Sequence, residues 1–230
     1  MSQVSLAQQA AQLLDEAVRL LAERAPQGTV VLIGSAARGC MTERSDLDIM
    51  VITAERLERL PAHSRIHIHP ESRAGFFRRL TAGDEFISWA VRYGTILSDP
   101  SCWWAEVTAM SLPWPDWRQK LDQISKRLRT AEAAIRDSDR SAAEEELMMA
   151  ASHCARALLL KAGEFPLSRP ELSRQLDEIA ESELSQTLVL LMKGVQTIPE
   201  LKSTFASLKR LFRNLRKEAF LIHAGKASAA

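Results

Sequence analysis

The sequence predicts an α+β protein: a small mixed sheet with its helices comes first, and an all-α helix bundle follows. Three observations predict this. The short runs rich in β-branched residues, TVVLI at 29–33 and LDIMVIT at 47–53, are confined to the first half of the chain. Beyond a stretch bearing Trp103, Trp104, Trp114 and Trp117 around Pro113 and Pro115, the apolar pattern keeps a helical period. A chain of 230 residues, 46% hydrophobic and 26% charged, can bury both cores. The predicted division is a first domain over residues 1–112 and a helical bundle domain over residues 113–230.

A first helix is expected over residues 4–24, with Leu13, Leu14, Val18 and Leu21 on its apolar face and Pro26 and Gly28 ending it. Thr29 to Ile33, flanked by glycines, reads as a buried strand, and Leu47 to Thr53 as a second. Residues 54–60 predict a helical turn or two, stopped by Pro61. Arg65 to His69 alternates polar and apolar and predicts a third strand, with Arg65, His67 and His69 on a wet face and Ile66 and Ile68 in the core. Residues 72–94 predict helix broken near Gly83, and helices follow over 116–137, 139–162, 170–193 and 199–224.

Several classes are excluded. No run approaches eighteen consecutive apolar residues, so no membrane span is expected. The first residues carry acids on an amphipathic period, unlike a signal or transit peptide. Cys40, Cys102 and Cys154 lie far apart without a CxxC pair, which predicts a reducing, cytoplasmic setting. A net charge of +1 advertises no large nucleic-acid footprint.

The chemistry concentrates in VVLIGSAARGCMTERSDLDIMV. Asp46 and Asp48 stand two apart at the head of the second strand, so they point to one face. Paired carboxylates repel unless a cation sits between them, and oxygen donors so placed suit magnesium, which also takes triphosphate oxygens. Gly34 lets backbone approach a phosphate. Ser35 offers a hydroxyl and an amide at the first turn of a short helix, and Arg38 adds positive charge.

Gly34-Ser35, Arg38-Gly39 and Ser45-Asp46-Leu47-Asp48 resemble the signature of the DNA polymerase β-type nucleotidyltransferase superfamily, closest to its minimal and antibiotic-modifying members. The resemblance covers residues 28–54, and a softer one runs through Gly83-Asp84-Glu85-Phe86, Trp89-Ala90 and Tyr93-Gly94 to Leu97-Ser98-Asp99-Pro100. It implies transfer of a nucleoside monophosphate from a nucleoside triphosphate, taken as ATP, to a hydroxyl, with pyrophosphate leaving. Asp46 and Asp48 would hold Mg2+, while Gly34, Ser35, Arg38 and Ser45 would bind the nucleotide. The acceptor would be a small molecule or a protein, with RNA placed behind them; a homodimer is among the expected assemblies.

Active members of the superfamily carry a third acid on a following strand. No acid lies on Arg65–His69, and Glu71 falls beyond Pro70. His67 or His69 is therefore a candidate general base and joins the candidate catalytic set with the two aspartates. Glu85 and Glu144, Glu145 or Glu146 are alternative bases, and a His-x-His zinc site is a lesser option. The missing acid also motivates an alternative function, a catalytically weak nucleotide-binding or regulatory module of toxin–antitoxin or defence type. In the helical half, Ala155 to Leu160 followed by Gly163 resembles HEPN-type or kanamycin-nucleotidyltransferase-type bundles. Arg216 and His223, with six residues between, resemble the HEPN ribonuclease pair, though a solvated face is the simpler reading. The same applies to the basic run Lys209, Arg210, Arg213, Arg216, Lys217. Ser168 to Glu171 predicts a helix-capping box, and the tryptophans predict interdomain packing, or else a stacking wall for a base.

Overall fold

The computed structural model describes residues 6–42, 45–55, 57, 64–194 and 196–227, and divides into two compact units, Met1–Pro115 and Asp116–Ala230. Most of the turn expected over 54–60 lies outside the described residues, as does the side chain of His223. No described helix is long and apolar enough to cross a membrane.

The first unit is a four-stranded mixed sheet with helices, the predicted α+β arrangement. Helix α1 (Leu6–Arg24) leads into β1 (Thr29–Ile33), the one-turn α2 (Gly34–Ala37) and β2 (Leu47–Thr53). Then come β3 (Ile66–Ser72), α3 (Arg73–Thr81), α4 (Glu85–Tyr93), β4 (Thr95–Ser98) and α5 (Trp103–Thr108). Strand order is β3-β2-β1-β4, with β1 antiparallel to both β2 and β4, and β3 parallel to β2. All five residues of β1 are buried, as expected of a central strand covered on both faces. Val30 and Leu32 join Leu47, Ile49, Val51 and Ile66 against Ala17 and Leu21 of α1. Val18, expected on that apolar face, is instead 42% exposed: the core-facing stripe runs through Ala17 and Leu21, one position round the helix. Helices α3 and α4 cover the opposite face of the sheet, where Gly94 abuts Val31. Their starts are capped by Ser72, accepting from Gly75 N at 3.0 Å, and Asp84, accepting from Ile87 N at 3.1 Å.

Two features correct the expected sheet. Strand β4 is an addition, a four-residue edge segment. Strand β3 does not stop at His69 but continues through Pro70 and Glu71, paired with Val51 and Ile52. A proline is tolerated there because β3 is an edge strand. Arg65 O accepts from Leu47 N at 2.8 Å, so residues 65, 67, 69 and 71 turn their backbone groups toward β2. Pro70 turns outward and removes no ladder bond.

The tryptophans pack within each unit as follows. Trp103 and Trp104 are buried in α5, with ring centroids 5.4 and 5.8 Å from Phe76. Trp114 lies under the Arg92 guanidinium, and Trp117 packs on the core of the second unit.

The second unit comprises α6 (Lys120–Arg136), α7 (Arg140–Ala162), α8 (Leu172–Glu178), α9 (Ser182–Lys193) and α10 (Ile198–Ala227). Helix α7 is its centre: it packs on α6, α8, α9 and α10, and its buried alanines 143, 150, 151, 155 and 157 allow close approach. Asp139 caps its start and Gly163, at φ +85°, ends it. Glu171 Oε2 accepts from Ser168 Oγ at 2.6 Å and Ser168 N at 3.3 Å, giving the predicted capping box. The single helix expected over 170–193 is broken into α8 and α9, with Ala180 at φ +61° between them.

Candidate active site

The site begins where β1 turns. Gly34 follows Ile33 with φ +72°, a left-handed conformation that glycine adopts without strain. The antiparallel register sets Ile33 opposite Asp48, so the turn and the carboxylate share one place. A Cβ at Gly34 would lie 2.8 Å from Asp48 Oδ2. The position therefore demands glycine twice, for its dihedral and for the absence of a side chain.

The turn is closed by its own hydrogen bonds. Cys40 N donates to Ser35 O at 3.0 Å and Gly39 N to Ala36 O at 3.1 Å. Arg38 ends α2 with its guanidinium 5.3 Å from the Tyr93 ring centroid. Ser45 is engaged in the loop: its Oγ accepts from Thr42 N at 2.9 Å, and its carbonyl accepts from Arg65 Nη2 at 3.2 Å. That anchors the head of β2, just ahead of Asp46.

The parallel pairing sets His67 beside Asp48, and the strand period puts His67, His69 and Glu71 on the face that carries Asp46 and Asp48. His69 Nε2 lies 3.0 Å from Asp48 Oδ1. His67 Nε2 is 3.9 Å from Asp46 Oδ2, and its Nδ1 is 4.0 Å from Asp48 Oδ1. His67, at 56%, is the most exposed of the four side chains, while the others remain within reach of solvent. The structure thus brings Gly34, Asp46, Asp48, His67 and His69 together at one end of the sheet.

Glu71 is the side chain that sequence reasoning displaced. It lies on the same strand face as the histidines, but Arg79 claims it as an ion pair. Arg79 also binds Asp84, with Nη2 3.0 Å from Oδ2. Continuing the alternation through Pro70 would have found it. Glu85 is 5% exposed, a burial that sets it apart from the solvent-reachable cluster. Glu146 pairs with Arg127 at 2.9 Å inside the second unit.

Among the described residues, no three His, Cys, Asp or Glu side chains converge to hold a metal ion alone. The donor set nevertheless fits a hard divalent cation in one respect. Two carboxylates on one strand face supply oxygen ligands, and phosphate oxygens would complete the shell.

Residues 14–96 match the sequence model of the nucleotidyltransferase domain family. Among solved structures, a nucleotidyltransferase-like protein from Exiguobacterium sibiricum 255-15 is similar over 87% of this chain and 75% of its own, at 15% identity and a TM-score of 0.45. No curated protein gives a significant match.

Proposed function

We propose that the first unit catalyses metal-dependent nucleotidyl transfer, moving the nucleoside monophosphate of a triphosphate, taken as ATP, to a hydroxyl of a small molecule or protein. The observation that carries this reading is the contact between Gly34 and Asp48: a side-chain-free turn backs directly onto the carboxylate that would face the phosphates. The family match over residues 14–96 supports it. We take residues 1–112 as the transfer domain and 113–230 as the helical domain.

Mg2+ held by Asp46 and Asp48 would neutralise charge developing on the α-phosphate. Gly34 gives the outer phosphates room, and Ser35 supplies a hydroxyl and an amide to them. Arg38, its guanidinium against Tyr93, adds positive charge at the same turn. Ser45 acts indirectly, by closing the loop ahead of Asp46. His67 takes the proton of the acceptor hydroxyl on a ring nitrogen; the oxygen attacks the α-phosphorus, and its bond to the bridging oxygen breaks to release pyrophosphate.

Incubation with α-labelled triphosphates, Mg2+ and cell extract tests this. The wild-type chain should transfer label, and Asp46→Asn with Asp48→Asn should abolish transfer. Absence of transfer together with absence of triphosphate binding by calorimetry refutes the proposal. A second reading, a nucleotide-binding module with feeble catalysis, is favoured by the Glu71–Arg79 ion pair, which occupies the acid on the strand face. Tight triphosphate binding without turnover would select it.

A further inference from the structure

The Asp48 carboxylate is held from two sides. Its Oδ1 lies 3.0 Å from His69 Nε2. An ionised carboxylate has no proton to give, so the ring nitrogen donates. Its Oδ2 sits against the bare α-carbon of Gly34, where a Cβ would come to 2.8 Å. His69 is itself seated. Its ring is 5.1 Å from that of Phe86, and the Arg79 guanidinium lies 5.9 Å from the Phe86 centroid. Arg79 is fixed by Glu71, on the strand, and by Asp84, which accepts from Arg79 Nε at 3.1 Å and caps α4. A chain of contacts thus runs along one face of the sheet, from the Glu71–Arg79–Asp84 ion pairs to the Asp48 carboxylate.

We infer that His69 is a positioning residue: its Nε2–H orients the Asp48 carboxylate toward the cation and phosphates, and Phe86, steadied by the Glu71–Arg79–Asp84 network, seats the imidazole. The inference rests on the nucleotidyl-transfer reading. The terminal torsion of an aspartate is broad and two-fold, so an untethered carboxylate spreads over many orientations. A hydrogen bond to one oxygen removes that freedom, and outer partners of this kind tune metal ligands generally. The same bond distinguishes the two histidines. His69 directs its Nε2–H at Asp48 at 3.0 Å, whereas the His67 nitrogens stand 3.9 and 4.0 Å from the two carboxylates.

The test uses the full chain with Mn2+ and α,β-methylene-ATP, following the enhancement of water-proton relaxation as the ion is immobilised on protein. His69→Ala should weaken Mn2+ binding ~10–100-fold. His69→Gln, whose amide can donate to Asp48, should recover most of the loss. Phe86→Ala should give a smaller loss of the same sign. Wild-type binding by His69→Ala, or a glutamine variant no better than alanine, overturns the inference alone, provided that Asp48→Asn abolishes the enhancement. An unchanged Phe86→Ala removes the seating role. Should His69→Ala fail to fold, His69→Leu takes its place, keeping an apolar contact for Phe86 but no donor. A wild-type chain without enhancement, or an Asp48→Asn variant that keeps it, overturns the nucleotidyl-transfer reading and the inference together.

Discussion

Replacing Gly34 with alanine adds a single methyl group, and the structure fixes what that methyl meets. It would lie 2.8 Å from Asp48 Oδ2, 3.5 Å from Asp48 Cβ and 3.6 Å from Asp48 Cγ. The backbone is also at φ +72°, a region that costs an L-residue ~1–2 kcal/mol. Relief of the clash falls on the Asp48 side chain, which must leave its staggered χ1 for a further ~0.5–1.5 kcal/mol and give up its hold on His69. Gly39 supplies the control. It too has positive φ, at +67°, but a Cβ there would meet nothing within 4 Å. Gly39→Ala therefore reports the dihedral alone, and the difference between the two variants reports the collision. Thermal unfolding followed by tryptophan fluorescence and circular dichroism should place Gly34→Ala below Gly39→Ala by roughly 2–6 °C. Displacing the carboxylate by an ångström should also weaken Mg2+–triphosphate binding or turnover by ~100-fold in Gly34→Ala. Equal melting temperatures, with nucleotide binding unchanged in Gly34→Ala, would refute the reasoning.

Three further expectations follow. Gly94 has an ordinary φ, but a Cβ there would collide with Ala90 O and come within 2.6 Å of Val31 Cγ1, so Gly94→Ala should destabilise the first unit by ~1–3 kcal/mol in urea; a loss below that of Gly39→Ala would count against the packing of α4 on β1. Burial among the helices pushes the Cys154 thiol up to about 12, whereas Cys102 is exposed. Native iodoacetamide labelling at mildly alkaline pH, read by mass spectrometry, should modify Cys102 and spare Cys154, and equal labelling of both would contradict the burial. Hydrogen bonds from Thr197 N and Oγ1, at 2.6 and 2.7 Å, hold the Glu200 carboxyl below its ordinary range. A lowered folded-state pKa gives stability that is present above the unfolded value and lost as pH falls through the folded one. Wild type should therefore exceed Glu200→Gln in urea midpoint near neutrality and converge with it in acid; a gap that persists in acid would disprove the linkage.

Much of this was legible in the residues because the signals were local. Strands β1 and β2 announce themselves by β-branched runs, and the turn between them by Gly34 and the spacing of Asp46 and Asp48. Asp139, Gly163 and the Ser168–Glu171 box mark helix ends through chemistry that acts within a few residues. What was missed depends on partners distant in sequence. Thr95–Ser98 is too short and too exposed to read as a strand without β1 beside it. The break at Ala180 carries neither glycine nor proline to signal it. Glu71 looked displaced because a proline inside a strand argues for a stop; only the edge position of β3, set by the sheet order, reverses that argument.

Pro70 has a consequence for the protein's life in a crowded solution. Sheet margins are templates: a row of regularly spaced amide hydrogens invites a foreign segment to zip alongside and seed an aggregate. Along the outer rim of β3 the ring of Pro70 interrupts that row at a site where the hydrogen is needed by no native neighbour. An imino acid placed there acts as a gatekeeper, sparing the native ladder while denying an invading strand a continuous register.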